Sequence, residues 1–142
     1  MRDVVIVDAV RTPVGRRNGG MSTCHSVDVL GTVQKALFDR TGIDPLEVGQ
    51  VVGGCVGQVG MQSMNVTRTA WLTAGLPLEV PATTITRHCG DAPQAATFPA
   101  TGIMSALPAL VVACGLPVTT MIPIGLALAA ARPFGPNTPL PR

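Results

Sequence analysis

Short β-branched runs alternate along this chain with segments whose apolar residues recur at helical spacing, and this alternation most constrains the fold. Strands separated by helices favour parallel pairing, so the pattern predicts a layered α/β fold with a mixed, mostly parallel sheet. The first run, 3–10, is apolar and β-branched, which is typical of a strand buried on both faces. The other predicted strands are 48–52, 81–85 and 110–115.

Three segments between these runs carry helix signals. Residues 26–41 have Ser26 as the predicted N-cap and Gly42 just past the end. Asn65 and Gly75 similarly mark the start and the end of a predicted helix over 65–74. Residues 94–107 have helical composition but contain Pro99, which removes a backbone hydrogen bond and clashes with the preceding turn at a cost of about 3 kcal/mol.

The composition argues against a disordered chain and against a nucleic-acid-binding protein. Apolar residues make up 46% of the 142 residues and charged residues 13%, so the chain is expected to fold as one domain with a core. The ten Lys and Arg are scattered among eight Asp and Glu, and only four aromatic residues are present. Without a basic block or aromatic stacking groups, nucleic-acid binding has no support.

Charged residues are unevenly distributed along the chain. Residues 92–131 carry no charge, which raises the alternative of a membrane span. A spanning helix needs about 20 consecutive helix-compatible apolar residues, and prolines interrupt this stretch repeatedly, so we expect no membrane insertion. We predict a folded domain over 1–131, followed by an extended proline-rich tail over 132–142.

One of the four cysteines stands at a chemically favourable place. Asp8 cuts off the apolar stretch 4–7, so we expect no secretory signal, a cytoplasmic and reducing location, and free thiols. Cys89 falls where an extended segment turns into a helix, and the unpaired N–H groups of a helix start stabilise a thiolate. Cys89 is therefore the candidate nucleophile, with a small packing residue as the alternative. Packing is the expected role of Cys24, Cys55 and Cys114.

Two other kinds of site compete with this interpretation. His25 follows Cys24 and His88 precedes Cys89, but adjacent side chains diverge and no zinc-module spacing occurs, so no metal site is expected. The glycine cluster 53–60 lacks the G-x-G-x-x-G order of dinucleotide sites, and a tight turn explains it.

Four separated motifs, taken in order, resemble the amino-terminal part of thiolases, the acetyl-CoA acetyltransferases. They cover nearly the whole chain, and each alone is weak. The motifs are the opening VVIVDAVRTPVG at 4–15, the turn GQVG at 57–60 followed by 65–77, the Cys89-Gly90 pair, and VVACG at 111–115.

The resemblance implies a partial thiolase-type amino-terminal domain and a thioester chemistry. The cysteine matching Cys89 takes an acyl group from an acyl-CoA and passes it to CoA or to acetyl-CoA. Acyl-CoA and CoA are then substrates, no permanently bound cofactor is expected, and the family resemblance implies lipid metabolism and a homo-oligomer.

The chain also departs from the family. Thiolases have small hydroxyl residues after the Cys-Gly pair, whereas Asp91-Ala92-Pro93 stands here, and a carboxylate near the sulfur opposes thiolate formation. The activating histidine and second catalytic cysteine of the family have no match, so we expect the chain alone to be inactive in turnover. The alternative is a non-catalytic module that docks on a full-length thiolase subunit.

Overall fold

The computed structural model describes residues 2–116 of the chain. In this part, helices alternate with strands of a parallel sheet in the order β2-β1-β3, so the predicted α/β class is confirmed. The helices are α1 (Ser26–Thr41), α2 (Val66–Thr73) and α3 (Asp91–Met104). The strands are β1 (Gln50–Gly54), β2 (Ala82–Ile85) and β3 (Val111–Gly115).

The central strand β1 shows how the layers are arranged. Successive residues of a strand face opposite sides of the sheet. A Cβ on Gly53 would overlap the side chain of Thr67 in α2, whereas a Cβ on Gly54 would overlap Asp91 in α3. Helix α2, with α1 packed beside it, therefore covers one face of the sheet and α3 covers the other.

The core centres on Trp71, which is fully buried in α2. Its ring meets Phe38 of α1 edge to face, with centroids 5.6 Å apart, and its Nε1 donates a hydrogen bond to the Pro77 carbonyl at 2.7 Å. The same cluster contains four valines, two of them on the strands β1 and β3: Val48, Val51, Val80 and Val112. A second cluster contains Val27, Leu30, Cys55, Val66, Ala70 and Leu116.

Helix α1 has the predicted bounds but a different cap. His25 is the N-cap, and its Nδ1 accepts a hydrogen bond from the Val27 amide at 3.3 Å. The expected cap, Ser26, is instead buried and donates its hydroxyl to the Met61 carbonyl at 2.6 Å, so a tertiary contact decided its role. Gly42 ends the helix at φ 68°, where glycine is favoured.

A hydrogen-bond network joins α2 to β2. Asn65 caps α2 by accepting from the Arg68 amide at 3.2 Å, as predicted, and its Nδ2 donates to the Ala82 carbonyl at 2.8 Å. The hydroxyl of Thr84 lies 2.8 Å from both the Asn65 Oδ1 and the Thr67 hydroxyl. This network fixes strand β2, which leads into the Cys89 turn.

Helix α3 begins three residues earlier than predicted, at Asp91, and ends at Met104. Pro99 lies inside it and is fully buried. The helix therefore continues past a residue that cannot donate to the carbonyl four positions earlier. The ring is fully buried, and this burial offsets part of the cost of the lost bond.

The predicted strand over 3–10 is wrong. Residues 2–16 form neither helix nor strand, and Val5, Ile6 and Val7 are 65–88% exposed. A β-branched run favours extended backbone, but a strand also needs a partner edge, and neither described edge of the sheet pairs with this segment. An ion pair between Asp8 and Arg40, at 2.9 Å, instead holds it beside α1.

The other predicted strands are present with boundaries shifted by one or two residues at β1, β2 and β3. The predicted tail, 132–142, and the end of the predicted domain, 117–131, lie outside the described residues. Within residues 2–116, no helix combines the length and the apolar character that crossing a membrane requires.

Candidate active site

Cys89 stands on a turn between a strand and a helix, as the sequence predicts. Strand β2 ends at Ile85, a 3-10 turn spans His88–Gly90, and α3 starts at Asp91. The turn follows the carboxyl end of a parallel strand, the edge at which α/β proteins place their sites. The Cys89 side chain is exposed, so a reagent in solution can reach it.

Backbone and side-chain hydrogen bonds shape this turn. The Gly90 amide donates to the Arg87 carbonyl at 3.1 Å, and the Arg87 amide donates to Oδ1 of Asp91. The Arg87 guanidinium reaches forward to Oε1 of Gln94 on α3. Between these bonds His88 has φ 52°, a left-handed conformation that non-glycine residues rarely adopt. The candidate nucleophile therefore stands on a turn whose backbone is strained and is fixed by hydrogen bonds.

Two opposing electrostatic effects act at this position. The first N–H groups of α3 lack helix partners and favour an anion beside them. Asp91, in the first turn of α3, already places a carboxylate at that helix start. The turn therefore places the Cys89 side chain beside a helix start that already carries the negative charge of Asp91.

The other three thiols are poorer nucleophile candidates. Burial raises the pKa of Cys55, the Asp91 charge raises it further, and a backbone hydrogen bond at Gly57 lowers it. Burial also raises the pKa of Cys114 to about 11, against a weaker lowering by the Gln34 amide, which lies 3.7 Å from its sulfur. Cys24 is partly buried in the turns before α1.

The glycine cluster forms a turn and not the opening of a helix. Gly60 has φ 57°, and a short 3-10 turn over Gly60–Gln62 separates it from α2. The Cys55 thiol donates to Oε1 of the buried Gln62 at 3.4 Å and fastens this turn to β1. Within residues 2–116, no three metal-ligating side chains come close enough to hold an ion.

Asp91 is the site residue whose role sequence reasoning missed. The sequence suggested only a charge near Cys89, whereas the structure buries this carboxylate and bonds it to the turn. Its position two residues after the cysteine, at the first position of α3, was the available signal.

An apolar groove of about 880 Å³ lies away from the Cys89 turn. It separates the amino-terminal segment from α1, α3 and β3, and Gln34 and Cys114 are among its few polar linings. Oε1 of Gln34 is buried there and has no hydrogen-bond partner within residues 2–116.

Comparisons with a family model and with known proteins agree on one family. The family model described as the N-terminal domain of thiolase matches residues 4–133. A steroid 3-ketoacyl-CoA thiolase of Mycobacterium tuberculosis is 42% identical over 139 residues, which cover 98% of this chain and 34% of that protein.

Two further relatives have related names. A β-ketoadipyl-CoA thiolase of Acinetobacter baylyi is 38% identical over 82% of this chain and 29% of its own length. A 3-ketoacyl-CoA thiolase of Pseudoalteromonas translucida is 41% identical over 74% of the chain and 28% of its own length. The chain thus spans about a third of the length of these relatives.

Proposed function

The chain belongs to the thiolase family through its N-terminal domain, and on that premise we propose that Cys89 accepts an acyl group from a coenzyme A thioester. One observation carries the proposal. Among the four cysteines, Cys89 is the exposed thiol, and it stands at the start of α3 beside the carboxyl edge of the sheet.

The acyl transfer divides into two balanced steps. The Cys89 sulfur attacks the thioester carbonyl, the bond from that carbon to the CoA sulfur breaks, and CoA leaves as its thiol with the proton from Cys89. The acyl-cysteine then passes its acyl group to a second CoA thiol or to the α-carbon of acetyl-CoA. The bond from the acyl carbon to the Cys89 sulfur breaks as the new bond forms, and the proton that the acceptor loses returns to Cys89. The helix start beside Cys89 supports the first step because it favours the thiolate.

We propose that the chain alone performs the first step slowly and does not complete turnover. The second step in thiolases uses a histidine and a second cysteine as acid and base. Cys55 and Cys114 are poor substitutes for that cysteine, since the pKa of each thiol is raised and Cys55 is buried. An acetyl-CoA acetyltransferase specificity is our proposal within the family, because a two-carbon acyl group makes the smallest demand on a partial site.

Intact-mass spectrometry after incubation with acetyl-CoA tests the first step. We expect the mass of one acetyl group to be added to the chain, to persist in Cys24→Ala and to be absent in Cys89→Ala. Cys24→Ala is the matched control because it removes a thiol outside the turn. An adduct that survives in Cys89→Ala, or no adduct on a folded chain, would contradict the assignment.

A second candidate function is docking on a full-length thiolase subunit without catalysis. The exposed apolar side chains of Val5, Ile6 and Val7, beside the apolar groove, favour it. We expect co-elution with a full-length thiolase in gel filtration, reduced by Ile6→Asp. Separate elution of the two proteins at micromolar concentration would exclude this function.

A further inference from the structure

Strand β3 forms one edge of the described sheet. Within residues 2–116 it pairs with β1 alone. The Leu116 amide donates to the Gly54 carbonyl of β1 at 2.9 Å. Because the backbone groups of successive strand residues point to opposite sides, the even-numbered residues of β3 face β1. The N–H and C=O groups of the odd-numbered residues therefore point away from β1: Val111, Ala113 and Gly115.

The apolar groove of about 880 Å³ runs along this open edge. Residues of β3 line it on one side and residues of the run 3–10 on another, and α1 and α3 also contribute to its lining. Because α1 lies on one face of the sheet and α3 on the other, the groove continues the sheet beyond β3 between the two helix layers. An extended segment that entered the groove would thus add a strand to the sheet.

A buried polar side chain in the lining of the groove is only half satisfied. Gln34 is 1% exposed, and its Nε2 lies 3.7 Å from the Cys114 sulfur. Its Oε1 accepts no hydrogen bond from any residue of the described range 2–116. A buried acceptor without a donor is unfavourable and uncommon in native proteins. A hydroxyl or amide donor that entered the groove would satisfy this oxygen.

The chain itself supplies a segment with the properties that the groove requires. Leu116, the last described residue, lines the groove, and residues 117–142 follow it. The run 118–122, Val-Thr-Thr-Met-Ile, has no charge, is as long as β3 and is β-branched at four of its five positions. β-Branched residues favour extended backbone, and the two threonines bring hydroxyl donors.

The short connection between β3 and this run favours an antiparallel return. Antiparallel strands can be joined by as few as about two residues, whereas parallel strands need a crossover of a dozen or more. Pro117, which has no amide donor, falls in the connection, and Pro123 directly follows the run. Neither proline therefore interrupts the five residues that would pair.

We propose that residues 118–122 lie in the groove as an extended strand that pairs antiparallel with the free edge of β3. The strand then lies between β3 and the run 3–10, and it offers that run the partner edge that it lacks among the described residues. A segment of the same chain is favoured over a separate molecule, because closing a short loop costs less entropy than bringing two molecules together. The inference goes beyond acyl transfer at Cys89 and does not depend on it.

NMR of the full, unmodified chain tests the pairing directly. We expect nuclear Overhauser contacts between backbone protons of β3 and backbone protons of 118–122. We also expect the amides of Val111, Ala113 and Gly115 to exchange about 100-fold or more slowly than unstructured amides. The rates should not change when the protein is diluted about tenfold, since the pairing lies within one chain.

Three results of this measurement would overturn the proposal. The first is fast exchange at the three edge amides, which would show an open edge. The second is contacts from the edge of β3 to a segment other than 118–122. The third is protection that weakens on dilution, which would show that a second copy of the chain covers the edge.

Proline substitutions test which segment protects the edge. Thr119→Pro and Thr120→Pro, made singly, each remove one amide donor, and because successive amides point to opposite sides, one of these donors faces β3 in any register. We expect at least one variant to speed exchange at the edge amides by about 10-fold or more while the Val51 and Trp71 amides in the core stay protected. Asn137→Pro, outside the run, is the matched control and should leave the rates unchanged.

Unchanged protection of the edge in both folded proline variants would overturn the proposal. Should both variants fail to fold, the contacts measured in the unmodified chain decide the question. The test is also separate from that of the proposed function. A chain in which 118–122 pairs with β3 but Cys89 is not acetylated would contradict the function and leave this inference standing, and acetylation without pairing would do the reverse.

Discussion

Gly54 lies so close to Asp91 that a Cβ on the glycine would come within 2.5 Å of the aspartate's carbonyl carbon. The contact joins the end of the central strand to the first residue of α3. It therefore sets the distance between the sheet and the turn that carries Cys89.

Gly54→Ala is expected to destabilise the protein by about 1–3 kcal/mol. The added methyl group meets backbone atoms, which cannot rotate away as a side chain could, so either α3 or β1 must shift. Chemical denaturation measures the change. Gly20→Ala is the matched control, because a Cβ there would meet nothing within 4 Å, and a similar loss in both variants would contradict the packing argument.

The sequence predicted the local structure of this region and not its packing. The predicted turn from an extended segment into a helix at Cys89 and Gly90 is confirmed, whereas the role of Cys89 as the nucleophile stays a prediction. The burial of Asp91 could not be read from the sequence, because it depends on a glycine 37 positions earlier in a neighbouring strand. Local patterns report helix and strand periods, whereas contacts between elements depend on how those elements are arranged.

The difference between local patterns and contacts across the fold also explains two wrong predictions elsewhere in the chain. Ser26 has the residue type of an N-cap, but its hydroxyl binds Met61 across the fold and leaves the cap to His25. The run 3–10 has the composition of a buried strand, but pairing requires an available sheet edge, which composition does not reveal.

Replacing the unusual cap offers a stability test. His25→Asn is expected to stabilise the chain by about 0.5–1 kcal/mol, since asparagine is among the best N-caps and the bond from the Val27 amide to His25 is long, at 3.3 Å. Thermal or urea unfolding reports the change. His25→Ala, which has no acceptor, is the control and should destabilise, and a gain from alanine as large as that from asparagine would exclude a capping role.

The amino-terminal segment gives a second test. Ile6 is 88% exposed, so Ile6→Asn should change the free energy of unfolding by less than about 0.5 kcal/mol. Val51 has no exposed surface in β1, and Val51→Asn should cost about 3 kcal/mol or more. Urea unfolding of both variants makes the comparison. A loss of several kcal/mol from Ile6→Asn would show that the segment is a buried strand after all.

The raised pKa of Cys114 predicts that the protein becomes less stable at alkaline pH. Burial raises the pKa of its thiol from 9.0 to about 11, so above pH 9 the unfolded thiol loses its proton while the folded one keeps it. The folding stability contributed by this group is complete below pH 9 and is lost as the pH rises to about 11, on the order of 3 kcal/mol in total.

Urea unfolding of wild type and Cys114→Ala at about pH 8 and about pH 10.5 isolates this contribution. The wild type should lose more stability between the two pH values than the alanine variant does. Cys24→Ala controls for loss of a thiol outside the sheet and should keep the wild-type dependence. Equal slopes for wild type and Cys114→Ala would contradict the assignment.

Pro99 sets two opposing effects against each other inside α3. Pro99→Ala restores an amide donor to the helix and relieves the ring's clash with the preceding turn, together worth about 3 kcal/mol. The same change removes a buried ring from a fully buried site and leaves a small cavity, at a cost of about 2 kcal/mol. The gain from the restored helix is the larger of the two, so we expect Pro99→Ala to raise the free energy of unfolding by about 1 kcal/mol, measured in urea.

Pro93→Ala is the matched control. Pro93 is exposed in the first turn of α3, where the missing donor has no helix partner, so this substitution should be nearly neutral. A destabilised Pro99→Ala chain would show instead that burial of the ring outweighs its cost to the helix.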